Sequence, residues 1–145
     1  MNAILPRWLL GLCFPLIVLS VCRADDWPQW LGTQRDSVWR ETGILEKFPG
    51  SGPAVKWRVP LAGGYAGPAV AAGRVLVTDY LTGGDKTPDP STRNKLQGQE
   101  RVLCFSAADG QLLWKHAYDC AYEISFPAGP RATPTVDGEQ QASSR

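Results

Sequence analysis

His116 is the sole histidine of this 145-residue chain, and it sits in the run QLLWKHAY with no carboxylate placed to orient it. A general base needs such a partner to fix its tautomer and direction. His116 therefore reads as a surface or packing residue. Asp79, Asp119 and Glu123 lie near the ends of strand-like runs. They could face a funnel, but they read as solvated charges. Asp85 and Asp89 could hold a cation, yet their segment lacks the glycine and closing glutamate of a calcium loop, so it reads as a polar insertion. Cys104 and Cys120 could pair in an oxidising compartment, or stand as two half-buried thiols on neighbouring strands. Neither has the histidine arrangement of a nucleophile. No Ser-His-Asp order, phosphate loop or zinc spacing is present. The sequence thus offers no catalytic and no metal-binding residue, and the elements around these side chains must say more.

The chain opens like an exported protein. Arg7 precedes an apolar run, Trp8 to Val21, and Cys22-Arg23-Ala24 comes next, with small residues suited to cleavage after Ala24. We expect a signal-peptide helix over 1–24. About 14 apolar residues interrupted by Pro15 are too few for a lasting membrane span. Leu19-Ser20-Val21-Cys22 resembles a lipobox, in which Cys22 would be lipidated, but Val21 is not the small residue that pattern wants. The expected location is the periplasm or cell envelope. Without Arg7 and Arg23, the mature part carries 13 basic and 14 acidic side chains, with no basic stripe. Nucleic-acid binding has no electrostatic support.

Beyond Ala24 the chain is rich in turn formers, with 15 Gly and 12 Pro in the full sequence. Residues 25–53 read as an irregular, Trp-rich lead-in and linker whose rings pack on a larger body. Residues 54–138 read as short strands. Val55 to Val59 alternates apolar and basic residues, as a half-buried strand does, and Pro60 ends it. Then come a short strand near Pro68 to Ala71, the turn Ala72-Gly73 and a strand Arg74 to Tyr80. Leu81 to Gln99 reads as a long solvated loop. Arg101 to Ala107, the hairpin signal Asp109-Gly110 and Gln111 to Tyr118 complete a four-stranded antiparallel meander. The fold class is all-β.

Part of this pattern repeats. Val55-Lys56-Trp57-Arg58-Val59 matches Leu112-Leu113-Trp114-Lys115-His116, and Gly67 to Gly73 matches Ala132 to Gly138 around Pro-x-Val-x-Gly, the second with one residue fewer before its glycine. Trp57 and Trp114 are 57 positions apart; without the loop the spacing is ~39, close to one propeller blade. Ala107-Ala108-Asp109-Gly110-Gln111-Leu112-Leu113-Trp114 resembles the tryptophan-docking signature of PQQ-like (pyrroloquinoline-quinone-type) β-propeller repeats, Ala-x-Asp-Gly-x-x-x-Trp. Asp26-Trp27-Pro28-Gln29-Trp30 resembles the opening of exported bacterial members. The resemblance implies that Trp114 packs between adjacent blades, that Asp109 and Gly110 make the turn, and that Trp57 belongs to the last blade of a full ring.

One sheet has two faces and cannot bury both alone, so sister blades must cover them. The expected architecture is about one complete antiparallel four-stranded blade of an incomplete β-propeller, with partial neighbours. The tail 139–145 (EQQASSR) holds no apolar pair, and the repeat stops in mid-blade. We read the chain as a truncated product or fragment of a longer one, with weak cooperativity and exposed apolar edges. Its partners would be the remaining blades or envelope proteins. The resemblance implies two functions: a non-catalytic envelope scaffold, as in the outer-membrane assembly lipoprotein family, or the N-terminal part of a PQQ-dependent alcohol or sugar dehydrogenase using calcium. The fragment itself shows no cofactor residues, so the scaffold reading is preferred.

Overall fold

The computed structural model describes residues 24–83 and 91–137. The expected signal helix with Cys22, the loop residues Asp85 and Asp89, and the tail lie outside these, except that Ala24 and residues 81–83 and 91–99 are described. Four strands form one antiparallel sheet in chain order: β1 (Ala69–Ala71), β2 (Arg74–Thr82), β3 (Asn94–Ser106) and β4 (Leu112–Ile124). The chain is all-β, and no helix occurs among the described residues.

Turn chemistry sets the connections at one end of the sheet. Ala72 and Gly73 both have positive φ, 49° and 72°, the combination that matches the twist of a two-residue hairpin. Asp26 steadies this turn, its carboxylate accepting the Ala72 N–H at 3.1 Å. The β3–β4 turn closes when the Gly110 N–H donates to the Ser106 carbonyl at 2.9 Å. Asp109 supports it by accepting the Gln111 N–H at 3.1 Å. A hydrogen bond from Ala107 N–H to the Gly73 carbonyl, 2.9 Å, ties the two turns together.

Two expected elements differ. Val55–Val59 joins no strand, and its alternation holds only in part: Trp57 and Val59 are half-buried and Lys56 and Arg58 exposed, but Val55 is exposed too. Period two reports which side meets the protein; a ladder also needs a neighbouring strand. The loop after Leu81 is shorter than expected, because the β2–β3 ladder continues to Thr82 opposite Gly98 and β3–β4 to Asn94 opposite Ile124. Leu96 anchors this extension, buried between exposed Lys95 and Gln97. One apolar residue among polar neighbours is too weak an alternation to read as a strand.

Register divides the sheet into two faces. One carries Ala69, Leu76, Tyr80, Cys104 and Trp114. Its core cluster is Ala69, Leu76 and Cys104, with Trp114 and Val136 packed against it. The other carries Asp79, Arg101, Leu103 and Phe105. The preceding segment crosses this second face, pinned by Trp57 at Ala107 and by Ala62 at Asp79. The two flanking segments, before β1 and after β4, also meet each other: the Tyr65 N–H donates to the Pro130 carbonyl at 2.9 Å, and the Arg131 guanidinium lies over the Tyr65 ring.

Candidate functional site

Trp57 meets the β3–β4 turn that carries Ala107, Asp109 and Gly110. Gly110 has φ +73° and is buried, and the Trp57 ring lies directly on it: a Cβ there would stand 2.7 Å from the indole. Only glycine admits both the backbone angle and the ring. The Trp57 Nε1–H donates to the Ala107 carbonyl at 3.0 Å. Ala107 and Gly110 thus form a socket for a flat indole, in the turn that Asp109 supports. Trp114 is not in this socket. It lies opposite Cys104 on the sheet and packs on the core cluster.

The second half of the repeat also has matched contacts. Val70 and Val136 occupy equivalent repeat positions, and the lead-in holds both. Trp27 exchanges hydrogen bonds with Val70 at 2.8 and 2.9 Å, and the Pro28 carbonyl accepts the Val136 N–H at 2.8 Å. Beside them Trp27, Trp30, Gly67, Pro68, Val70 and Thr133 line an open apolar cleft of about 320 Å³. Of the lead-in rings, Trp27 lies against Gly32 of the lead-in itself, while Trp30 and Trp39 stay 66% and 61% exposed.

Asp79 is not a solvated charge. It is 1% exposed and directly opposite Arg101, which grips it at 2.8 Å (Nε to Oδ1) and 2.6 Å (Nη2 to Oδ2). The Ala62 N–H adds a third hydrogen bond at 2.8 Å. This bidentate pair raises the Arg101 pKa. Asp119 is exposed and accepts from Gln99 Nε2 at 2.9 Å, and Glu123 is exposed opposite Lys95. His116 is also exposed, with its ring 6.0 Å from that of Tyr118.

Sequence reasoning missed a phenol cluster around Glu100. Tyr118 and Tyr122 both donate to its carboxylate. Tyr80 meets Tyr122 edge to face at 4.8 Å, and its hydroxyl donates to the Cys120 carbonyl at 3.0 Å. The bond to Glu100 pushes the Tyr118 pKa up to about 12. Burial first, then Glu100, pushes Tyr122 up as well. The even spacing of Tyr118 and Tyr122, which puts both on one face of a strand, was visible in the sequence; their meeting with Glu100 depends on register.

Cys104 and Cys120 are free, which corrects the expected disulfide alternative. Cys104 stands opposite Trp114 and Cys120 opposite Gly98. Six strand positions separate the two levels, roughly 20 Å along the sheet, far beyond the ~7 Å Cα limit of a bridge. Burial raises both thiol pKa values, against nucleophilic use.

No family model, curated protein or solved structure matches this chain.

Proposed function

We propose that the sheet is one blade of an exported PQQ-like β-propeller, and that the chain serves the cell envelope as a binding or scaffold module. The observation that carries this reading is the indole of Trp57 seated on Gly110 and bonded to Ala107. A tryptophan from the segment before β1 thereby joins the turn of the Ala-x-Asp-Gly signature. Further blades or envelope proteins are the partners this implies.

Two of the sheet's carboxylates are already engaged by the chain's own groups, which favours the scaffold reading over a PQQ-dependent dehydrogenase. The Asp79 carboxylate is filled by Arg101 and the Ala62 amide, and Glu100 by two phenols. The test is to purify the exported chain, incubate it with PQQ and calcium, desalt it, and assay dye reduction with alcohols and sugars. The expected result is no retained quinone absorbance and no turnover. Retained quinone with substrate-dependent dye reduction would overturn the scaffold reading.

A further inference from the structure

The two edges of the sheet are finished differently. β1 is three residues long, and Trp27 closes its outer side through the paired hydrogen bonds with Val70. β4 runs for 13 residues without a proline or glycine, and among the described residues no strand pairs with its outer edge. Its middle, Lys115 to Asp119, is exposed throughout. A long unpaired edge presents a row of N–H and C=O groups that another strand can satisfy, and proteins ordinarily blunt such an edge with short strands, prolines, bulges or cover. In β4 only the end near Leu112 is irregular, where the ladder shifts register between Cys104 and Phe105.

The charges along β4 say which strand fits it. Lys115 and Asp119 lie on one face of the strand, on either side of Ala117. That order is complementary to its own reverse. We infer that β4 pairs antiparallel with β4 of a second copy of this chain, centred on Ala117, so that the two sheets join into one. In that register Lys115 of each copy faces Asp119 of the other, and His116 faces Tyr118 on the opposite face of the sheet. Opposite charges and aromatic pairs directly across an antiparallel ladder are favourable, and like charges are not. Neighbouring registers lose this match. Centring on Lys115 or Asp119 sets like charges against each other, and centring on His116 or Tyr118 leaves Lys115 and Asp119 opposite apolar residues. Parallel in-register pairing stacks Lys115 on Lys115. Asp119 already accepts from Gln99, and a carboxylate has room for a further donor. The same strand is used on both copies, so the contact closes at two. It does not involve the Trp57 contact, so it stands independently of the propeller reading.

Sedimentation equilibrium of the exported chain tests this, and the native chain should form dimers. Lys115→Glu and Asp119→Lys each turn two attractive pairs into two repulsive ones and should weaken dimerisation about tenfold or more. Mixed together, the two variants should recover a one-to-one complex near the native affinity, because each carries the charges the other needs. Lys115→Asp/Asp119→Lys, which reverses both, should dimerise like the native chain. Hydrogen exchange locates the contact: the β4 amides should be better protected in the native dimer than in Lys115→Glu at the same concentration. If Asp119→Lys fails to fold, Lys115→Glu and this protection pattern decide the matter. A native chain that stays monomeric over the whole micromolar range overturns the inference, whether its edge is free or covered by another part of the chain. So does a dimer indifferent to the charge substitutions, a variant mixture that stays apart, or association that continues beyond two copies.

Discussion

Gly110 and Gly73 provide a matched pair for measuring the docked tryptophan. Their φ angles are +73° and +72°. Nothing lies within 4 Å of a Cβ built on Gly73, whereas one on Gly110 meets Trp57 at 2.7 Å. Gly73→Ala should therefore cost only the left-handed backbone penalty, about 1 kcal/mol. Gly110→Ala carries the same penalty and also expels the indole. Loss of the hydrogen bond to Ala107 adds about 1 kcal/mol, and re-exposure of part of the ring about 1 kcal/mol more. The expected costs are thus about 1 and about 3 kcal/mol. The Ala107 amide is the natural reporter, because it donates to the Gly73 carbonyl while the Ala107 carbonyl holds Trp57. Hydrogen exchange at that amide gives a local opening free energy and needs no global two-state transition. Repeating both substitutions in Trp57→Ala closes the cycle. There the two costs should agree to within about 0.5 kcal/mol. Equal costs in the native chain, or a gap that survives removal of Trp57, would refute the docking argument.

The buried polar groups carry two more expected outcomes. Arg101→Met strands the carboxylate of Asp79 in a 1%-exposed site and should cost roughly 3–5 kcal/mol; Asp79→Leu/Arg101→Met should recover most of that in thermal unfolding, and no recovery would show that the pair is not the cause. Phenol ionisation tracked by ultraviolet absorbance should show Tyr118 titrating near 12, with Tyr122 also raised. Because these folded-state values lie above the unfolded one, the stabilisation is fully present below about pH 10 and is lost as pH rises from about 10 through about 12. Glu100→Gln removes the charge and should bring Tyr118 back toward its ordinary range; an unchanged titration would rule Glu100 out as the cause.

Much of the sheet was legible because its signals are local. β-branched and apolar runs marked β2 and the inner half of β3, and Asp109-Gly110 marked the hairpin between β3 and β4. Val55–Val59 shows the limit of that reading. Its alternation registers burial on one side, but pairing requires a partner strand that alternation cannot supply. The outer ends of β3 and β4 show the converse. Lys95 to Glu100 carries weak strand signals, yet each residue finds a ladder partner because β4 continues beside it to Ile124.

The sequence alone determined the antiparallel order and the glycine turns, since each depends on residues close together in the chain. Tertiary structure decided which tryptophan fills the socket, that Asp79 is sealed by Arg101, and that Cys104 and Cys120 stand apart. These outcomes depend on register and on which segment crosses which face. They are set by packing between distant parts of the chain, where shifting a strand by a single residue exchanges its two faces.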